Sequence, residues 1–449
     1  MGEPGRGTPT ERGKGEGYNA LLLRDKKPHF ILMIKDAWDV IVIGGGPAGS
    51  TTAALLAERG HSVLILEKEK FPRYHVGESL MPFCWYTLDR LGLVSRMDEI
   101  GFQKKHSVQF ASEEGKVSSP FYFSEHKDHP SSITWQVERA DFDQMLIEKA
   151  ISNGATFCDE SKVLSTTYDQ HTARITGLVA KHKGALRSFH CKQIVDASGR
   201  DCFYSSKSKW RQRDPGLNKV AIWTYYKGGK RNCGIDEGST TIAALPNKGW
   251  FWHIPQQGDR VSLGIVAERD YLFSDTQDPK KILEREIENN LWVKDSLSTA
   301  KQVGQTWVTG DYSYRATHCA TPGMVLVGDA FAFLDPVFSS GVFLALKSAE
   351  LAADSIHTHL TTLKSEKDCF TEYGKSLCDA IERMRKIVYA FYQPTFNFAD
   401  LIKETPELKG TLTDLLIGDV FEDKFSELFS AMNSLSPLPE NLPYGYTVK

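Results

Sequence analysis

The stretch that decides the fold runs from Asp39 to Glu67 and reads DVIVIGGGPAGSTTAALLAERGHSVLILE. Residues 39–43 are apolar and rich in β-branched side chains, residues 48–59 contain no helix breaker, and residues 61–66 end in another apolar run. This succession predicts strand, helix and strand, the βαβ unit of about 30 residues in which a helix connects two parallel strands. The sequence therefore predicts an α/β fold that starts near residue 36.

The turn after the first strand carries a glycine-rich motif, G-x-G-x-x-G, made by Gly44, Gly46 and Gly49. Gly44 permits the tight turn, Gly46 lets the backbone approach a pyrophosphate, and Gly49 lets the helix pack closely on the strand. Pro47 and Ala48 stand at the start of the helix, where the positive N-terminus would bind the pyrophosphate. We therefore predict a dinucleotide site rather than a glycine-rich turn without a ligand.

An acidic residue ends the second strand of this unit. Glu67 follows the glycines at about the spacing, roughly 20 residues, at which a carboxylate accepts hydrogen bonds from the ribose hydroxyls of the dinucleotide. The order of strand, glycines, helix and carboxylate therefore agrees with a bound dinucleotide. The motif by itself does not distinguish FAD from NAD.

The composition is that of an ordinary globular protein, and it excludes several classes of function. The chain has 449 residues, 41% of them hydrophobic, and a net charge of −3 with both signs mixed throughout. A nucleic-acid-binding protein would carry a basic patch, so we expect no nucleic-acid partner. No apolar run reaches the roughly 18–20 residues that span a bilayer, so we expect no transmembrane segment.

The cysteines and the N-terminal residues bear on the cellular location. The eight cysteines form no C-x-x-C pair and no cysteine–histidine cluster at zinc spacing. This pattern predicts reduced thiols, no bound metal and a cytoplasmic location. Residues 1–35 begin rich in glycine and charge and lack the apolar region of a signal peptide, which predicts a disordered tail or an over-long start.

The later elements predict a nucleotide-binding domain built from separated pieces. We expect it to comprise residues 36–205 and 310–360, with a substrate-domain β-sheet at 206–309 and a helical C-terminal segment at 361–449. The fold class is thus α/β, or α+β over the whole chain: a Rossmann-like fold with an inserted antiparallel sheet. The predicted elements are helices at 83–93, 139–152 and 342–360, strands at 107–110, 194–197 and 324–327, a hairpin over 163–180 and an antiparallel sheet over 219–266.

Two later segments resemble the glutathione-reductase-type flavoprotein superfamily: VDASGR at 195–200 and GMVLVGDA at 323–330. The resemblance implies that the cofactor is FAD and that Asp329, next to Gly328, binds a ribose or ribityl hydroxyl. Arg139, in VERADFD, matches an arginine that members place near the FAD phosphate or ribose. The alternative for Arg139 is a surface charge at the start of a helix.

Within that superfamily, the segment GWFWHIP at 249–255 resembles the W-x-W-x-I-P motif of flavin-dependent halogenases. The resemblance implies that Trp250 and Trp252 lie beside the flavin and hinder the approach of substrate to it. The alternative is a pair of core aromatics, because alternate residues of a strand share one face. A similar segment also occurs in flavin reductases that act on prenyl chains.

The loop FPRYHVGESLMP at 71–82 resembles a stretch of halogenases that act on phenols or pyrroles. Such a loop would pack along the flavin, and the alternative is a rigid loop without a chemical role. Phe338 stands where the resemblance to tryptophan-type halogenases would require a glutamate, so the absence of that carboxylate also implies the phenol or pyrrole type.

The segment GFQKKHSVQF at 101–110 resembles the region of the family's active-site lysine. That lysine lies five positions before a phenylalanine, which selects Lys105 by its spacing to Phe110, with Lys104 as the competitor. Ser107 departs from the pattern, which has glycine there. An ammonium could hydrogen-bond hypohalous acid, and an amine could carry the halogen. The alternative is a solvated lysine on a basic turn.

The segment DPVFSSGV at 335–342 precedes a predicted helix. Backbone N–H groups at a helix start form a natural anion site, and the resemblance places halide near Ser340 and Gly341. Pro336 and Gly341 would also contact FAD. A plain flavin contact without halide is the alternative.

The resemblance as a whole implies a two-component halogenase that uses reduced FAD, dioxygen and halide on an electron-rich aromatic, a phenol or a pyrrole. The sequence contains no second G-x-G-x-x-G motif, so we expect a separate flavin reductase as the source of reduced FAD. The substrate could be free or tethered to a carrier protein. The alternatives are a single-component FAD-dependent aromatic hydroxylase, a flavin-dependent prenyl-chain reductase and a non-catalytic flavin-binding protein.

Overall fold

The computed structural model describes residues 35–245, 249–310 and 313–449. The predicted N-terminal tail therefore lies outside the described residues, apart from Lys35. Residues Asp36–Lys449 form one compact unit. In the part of the chain that is described, no helix is both long enough and apolar enough to cross a membrane.

Helices and strands alternate along the first part of the unit, and helices dominate its end. The helices are α1 (Pro47–Glu58), α2 (Cys84–Arg90), α3 (Val94–Ile100), α4 (Arg139–Ser152), α5 (Phe203–Lys207), α6 (Arg269–Leu272), α7 (Pro279–Asn289), α8 (Leu291–Ser296), α9 (Ser340–Thr361), α10 (Glu366–Tyr392), α11 (Phe398–Glu404), α12 (Lys409–Ile417) and α13 (Ser426–Leu435). The strands are β1 (Ala37–Ile43), β2 (Val63–Leu66), β3 (Gln103–Lys105), β4 (Ser107–Ala111), β5 (Phe121–Tyr122), β6 (Thr134–Gln136), β7 (Thr156–Cys158), β8 (Ser161–Tyr168), β9 (Ile175–His182), β10 (Ala185–Asp196), β11 (Arg211–Arg213), β12 (Lys219–Lys227), β13 (Thr240–Ala244), β14 (Trp250–Pro255), β15 (Arg260–Glu268), β16 (Lys301–Thr309), β17 (Tyr314–Ala316), β18 (Ala320–Thr321), β19 (Met324–Leu326) and β20 (Ala332–Phe333).

The first sheet contains the predicted βαβ unit, which is confirmed as β1, α1 and β2. Strands β19, β10, β1, β2 and β7 lie side by side and run parallel, with the hairpin of β8 and β9 attached through β10. The register pairs Ile43 with Leu66 and with Asp196, and Asp196 with Leu326. The carboxyl ends of these strands therefore form one row, and the turns that follow them meet at the same edge of the sheet.

The second sheet has the order β16-β12-β15-β14-β13-β4-β5. Its pairings are antiparallel except that of β4 with β13, which is parallel. Strands β4 and β5 come from a much earlier part of the chain than the other five strands. One face of this sheet packs Ile222, Phe251 and Leu263 against Ile282 of α7 and Val293 of α8. The opposite face carries the alternate residues, because side chains alternate along a strand.

The predicted helix over 83–93 is shorter in the structure, where α2 spans Cys84–Arg90 and the next helix, α3, starts at Val94, beyond the predicted range. Helix α2 ends at Arg90, and Gly92 follows with φ +68°, a left-handed conformation that glycine adopts without strain. The Leu93 N–H donates to the Leu88 carbonyl at 2.8 Å, which is the bond of a Schellman motif. The chain then restarts as α3.

Candidate functional site

A cleft of about 610 Å³ lies at the carboxyl edge of the parallel strands, and the second sheet contributes its opposite wall. This is where open α/β sheets bind ligands, and the volume falls within the range of small-molecule sites, roughly 300–1,000 Å³. Ile43, Leu66, Ala197 and Val327 mark the ends of the parallel strands in its lining. The predicted site residues that line it are Gly44, Gly46, Pro47, Ala48, Glu67, Arg139, Trp250, Trp252, Asp329, Pro336 and Gly341.

The three glycines of the motif have different surroundings. A Cβ on Gly44, which has φ +104°, would meet the Ala197 carbonyl oxygen at 2.4 Å, and a Cβ on Gly49 would meet the Gly44 carbonyl oxygen at 2.0 Å. Among the described residues, a Cβ on Gly46 would have only the Arg73 Nη2 atom near it, at 3.5 Å. Gly44 and Gly49 are therefore required by the protein's own packing, whereas the space beside Gly46 is left open toward the cleft. This cradle fits the approach of a pyrophosphate.

The Glu67 carboxylate is fixed by two backbone donors. The Gly45 N–H donates to Oε2 and the Glu69 N–H donates to Oε1, each at 2.8 Å. A carboxylate has about four lone-pair sites, so it keeps capacity for further donors. Glu67 thus joins the glycine turn to the cleft and can still accept hydrogen bonds from a ribose.

Asp329 follows β19 and faces the cleft. In the part of the chain that is described, its carboxylate accepts no side-chain or backbone hydrogen bond, and burial raises its pKa to about 6 against the attraction of Arg200 and Arg139. Gly328 does not line the cleft: its N–H donates to Ser348 Oγ of α9 at 2.9 Å and fixes the turn. A carboxylate that faces the cleft and has no donor among the described residues fits a ligand rich in hydroxyl groups.

Arg139 begins α4 and is only 7% exposed, so the alternative of a surface charge is wrong. Its Nε donates to Asp143 at 2.9 Å, and its Nη1 donates to the Val76 carbonyl at 2.8 Å. The guanidinium therefore holds the 71–82 loop against α4. It also lines the cleft, and its predicted contact with the cofactor stays a prediction.

Trp250 and Trp252 lie on the cleft face of β14 with ring centroids 6.0 Å apart. Trp250 Nε1 donates to the Tyr392 hydroxyl at 2.8 Å, and Trp252 Nε1 donates to Ser262 Oγ at 3.1 Å. A Cβ on Gly264 would meet the Trp252 ring at 2.2 Å, so that glycine makes room for the indole. The two rings are fixed walls of the cleft as well as parts of the core.

Lys104 and Lys105 have opposite environments, although both belong to β3. Lys105 is 3% exposed, and its Nζ donates to Ser79 Oγ at 2.9 Å. Ser79 lines the cleft, whereas Lys105 lies directly behind it. Burial lowers the pKa of Lys105 to about 7. Lys104 is exposed and pairs with Asp98 at 3.2 Å, so the solvated-turn alternative describes Lys104 and is wrong for Lys105.

The start of α9 borders the cleft through Gly341, and a Cβ there would meet nothing within 4 Å. The neighbouring Ser340 hydroxyl is buried and has no hydrogen-bond partner among the residues that the structure describes. Open space, a helix N-terminus and an unpartnered hydroxyl together fit a small anion. Phe338 packs against Phe391 and Phe398, with centroids 5.9 and 6.2 Å away, so this position contributes an apolar ring.

Several cleft residues were not predicted from the sequence. Ser79 connects Lys105 to the cleft, and Glu78 accepts a hydrogen bond from the Tyr225 hydroxyl. Both residues lie in the 71–82 loop, whose resemblance to halogenases was the only available signal. Tyr225 carried no sequence signal, because aromatic residues are common in β-strands.

The fold and the cleft define a flavin-dependent oxidoreductase of the Rossmann-like class. The sequence profile described as Tryptophan halogenase matches residues 39–129 and 111–399, and the chain belongs to this family of flavin-dependent halogenases. The fold class and the halogenase family predicted from the sequence are confirmed. The comparisons therefore favour the halogenase over the hydroxylase and the prenyl-chain reductase.

Individual relatives agree with this assignment. The chain is 34% identical to the 1H-pyrrole-2-carbonyl-[peptidyl-carrier protein] brominase of Pseudoalteromonas luteoviolacea over 71% of this chain and 77% of that protein. It is 28% identical to the corresponding chlorinase of Pseudomonas fluorescens over 90% and 94% of the two chains. Among solved structures, the flavin-dependent brominase Bmp2 has a TM-score of 0.79 at 29% identity, covering 88% of this chain and 97% of that chain. The myxobacterial chondrochloren halogenase CndH has a TM-score of 0.76 at 32% identity, covering 89% and 97%.

Proposed function

We propose that this protein is a two-component, FAD-dependent halogenase that acts on a pyrrole ring carried by a carrier protein. The observation that carries the proposal is Lys105, a buried amine hydrogen-bonded to Ser79 at the wall of the cofactor cleft. A lysine held out of water at that place is suited to handle an oxidised halogen species. Phenols are the second substrate class that the 71–82 loop predicts.

FAD is the flavin that the cleft fits. Gly44, Gly46 and the start of α1 would hold the pyrophosphate, Glu67 a ribose, and Asp329 a ribityl or ribose hydroxyl. When bound and reduced, FAD supplies the electrons that activate dioxygen. The protein's own contribution is to orient the cofactor, exclude water and separate the reacting groups.

Halide would bind at the N-terminus of α9. The open space at Gly341 and the unpartnered hydroxyl of Ser340 support this position. Pro336, in the turn before the helix, would contact the flavin. The positive end of the helix dipole favours an anion there without a charged side chain.

Lys105 would receive the halogen at a distance from the cofactor. With a pKa of about 7, the side chain has both an ammonium form, which donates a hydrogen bond to hypohalous acid, and an amine form, which can carry the halogen. Trp250 and Trp252 would keep the aromatic substrate away from the flavin, so that the ring meets the halogen at Lys105.

The pyrrole-carbonyl carrier-protein substrates named for two relatives support a tethered substrate. A separate flavin reductase would supply reduced FAD, since the sequence holds one dinucleotide motif. The eight free cysteines agree with the predicted cytoplasmic location.

The test is an assay of the full chain with FAD, a flavin reductase, NADPH, dioxygen and bromide or chloride. The acceptors are 1H-pyrrole-2-carbonyl loaded on a peptidyl carrier protein, free pyrrole-2-carboxylate and a set of phenols, with product mass as the readout. We expect halogenated pyrrole on the carrier. Halogenation of free phenols alone would overturn the tethered-pyrrole proposal, and hydroxylated product would overturn the halogenase.

A further inference from the structure

The indole of Trp250 is held by a chain of two hydrogen bonds. Its Nε1 donates to the Tyr392 hydroxyl oxygen at 2.8 Å, and the Tyr392 hydroxyl donates to Oδ2 of Asp335 at 2.9 Å. Trp250 lines the cleft and is 3% exposed, while Asp335 is fully buried. The chain therefore runs from the wall of the cleft into the protein interior.

The number of protons fixes the direction of both bonds. An indole nitrogen only donates, and a tyrosine hydroxyl has one proton to give. Tyr392 accepts from Trp250, so its single proton goes to the carboxylate. The other oxygen of Asp335, Oδ1, accepts from the Val337 N–H at 3.1 Å. Neither bond of the chain can be reversed, and the carboxylate joins Tyr392 to the turn that contains Val337.

The charges around the chain keep Asp335 mainly ionised at neutral pH. Burial raises the pKa of Asp335 to about 6, opposed by the Tyr392 hydroxyl, the Val337 N–H and Lys219. Hydrogen bonds to a charged acceptor are stronger than bonds between neutral groups. The Lys219 Nζ also lies 4.3 Å from the centroid of the Tyr392 ring, and this cation–π contact holds the ring from the side of β12.

The neighbouring Trp252 is held in a different way. Its Nε1 donates to Ser262 on the adjacent strand of the same sheet. Trp250 depends instead on α10, whose Tyr392 follows it by 142 positions in the chain, and on the residue just before Pro336 in the lining of the cleft. The chain therefore joins one wall of the cleft to the turn that leads to the proposed halide site.

We propose that Tyr392 and Asp335 are positioning residues for Trp250, and that this positioning decides how often a turnover ends in halogenation; the proposal rests on the halogenase function proposed above. Neither residue is among the described residues that line the cleft, so Tyr392 acts through Trp250. A fixed indole closes the wall that keeps water and the aromatic substrate from the flavin site. When that wall is loose, reduced flavin and dioxygen give oxidised flavin and hydrogen peroxide. Two electrons and two protons then pass to dioxygen, and no halide is oxidised.

The first test follows the indole N–H of Trp250 by NMR in the flavin-free full chain, isotope-labelled at the tryptophan indole nitrogens. The chain has nine tryptophans, and the signal that Trp250→Phe removes belongs to Trp250. Tyr392→Phe removes the acceptor, so this signal should move upfield and its proton should exchange faster with water. Asp335→Asn weakens the chain at its far end and should move the signal in the same direction, although two hydrogen bonds separate Asp335 from Trp250.

Tyr373→Phe is the matched control for the NMR experiment. Tyr373 is a buried tyrosine of the same helix, and its hydroxyl donates to the Leu326 carbonyl at 2.6 Å, so its loss should leave the Trp250 signal in place. A Trp250 signal that Tyr392→Phe or Asp335→Asn leaves unchanged, or that Tyr373→Phe moves as far, would overturn the proposal. Tyr392→Phe keeps the ring and decides the result if Asp335→Asn does not fold.

The second test measures halogenated product per reduced FAD oxidised, at saturating bromide, with 1H-pyrrole-2-carbonyl on the peptidyl carrier protein as the acceptor. Tyr392→Phe should lower this ratio by about tenfold, the upper end of what one hydrogen bond contributes, with hydrogen peroxide making up the difference. The rate of flavin oxidation should stay near wild type.

A double-mutant cycle separates positioning from a general structural role of Tyr392. If Tyr392 acts through Trp250, Tyr392→Phe should lower the ratio in the wild type and have no further effect in Trp250→Phe. An equal loss in both backgrounds, or no loss in either, would contradict the proposal. Absence of halogenated product in the wild type would contradict the proposed function instead, and the NMR result then decides whether Tyr392 and Asp335 position Trp250.

Discussion

Lys105 and Lys104 are adjacent in the sequence and have different chemistry in the structure. Lys105 lies behind Ser79 with a pKa near 7, and Lys104 pairs with Asp98 at the surface. We expect Lys105→Ala to abolish halogenated product, to below about 1% of wild type, because Lys105 is the amine that the described part of the chain places against Ser79. FAD affinity and oxidation of reduced FAD should stay near wild type.

The measurement compares product mass with flavin oxidation in the same reaction, and Lys104→Ala is the matched control, expected to be mild. Normal halogenation by Lys105→Ala would refute the assignment. If Lys104→Ala is the inactive variant instead, the active lysine is Lys104 and the spacing that selected Lys105 is off by one position.

Burial of Lys105 also makes the stability depend on pH. The folded-state pKa is lowered from 10.5 to about 7, so between these values the unfolded chain binds a proton that the folded protein does not. The free energy of unfolding should therefore fall as pH decreases from about 10.5 to 7 and lose no more from this residue below 7.

Lys105→Met keeps most of the volume and removes the charge. Its stability relative to wild type should rise by a few kcal/mol as pH decreases over the same window, as measured by urea unfolding at several pH values. A constant difference between pH 7 and 10 would show that Lys105 titrates normally.

At this scale the sequence pointed to residues that a local pattern marks. The spacing to Phe110 selected Lys105 and a motif selected Arg139; the structure buries both side chains beside the cleft, and their roles stay predictions. The contact of Tyr225 with Glu78 joins residues 147 positions apart, and only the packing of β12 on the 71–82 loop brings them together. No local pattern carries that information.

The predicted pyrophosphate site in the glycine turn between β1 and α1 can be tested by substitution. A valine at Gly46 would point into open space toward the cleft, because only Arg73 lies near its Cβ. Gly46→Val should therefore fold with an unfolding midpoint near wild type and lose FAD affinity by at least about 100-fold.

Gly49→Val is the contrasting variant, since its Cβ would lie 2.0 Å from the Gly44 carbonyl oxygen. It should lower the unfolding midpoint, because the helix must move off the strand. The measurements are thermal unfolding of the apo protein and FAD titration. Unchanged FAD affinity in Gly46→Val would contradict the pyrophosphate position.

Elements with a strong local signal were predicted closely. Helix α4 has the predicted bounds, and α1 differs by one residue at each end. The end of α2 at Arg90 was missed, because a glycine such as Gly92 within a helical pattern does not reveal whether it will adopt a left-handed conformation, and α3 was not predicted. The seven-stranded sheet was found only in part, since β4 joins it by a long-range parallel pairing with β13.

The sequence of the whole chain has one G-x-G-x-x-G dinucleotide motif, and FAD would occupy it, which leaves no such motif for NADPH. We therefore expect NADPH alone to reduce the bound flavin slowly and addition of a flavin reductase to give rapid turnover. Stopped-flow absorbance of the flavin measures both rates. Bleaching by NADPH at the turnover rate would contradict the two-component assignment and favour a hydroxylase.

At this scale the sequence predicted the order of the parts better than their contacts. The parallel strands followed from their apolar runs and terminal motifs, and helices were expected in the C-terminal segment. The bond from Trp250 to Tyr392 at the end of α10, and from Tyr392 to Asp335 at 2.9 Å, could not be predicted, because it joins three distant segments.

That link makes α10 part of the wall of the cleft and not of an independent module. A chimera that exchanged residues 361–449 with those of a relative, in order to change the range of acceptors, would also replace the partner of Trp250. Engineers who recombine these enzymes should therefore take β14 and α10 from the same parent. A crossover point between the two elements would separate Trp250 from the tyrosine to which it donates.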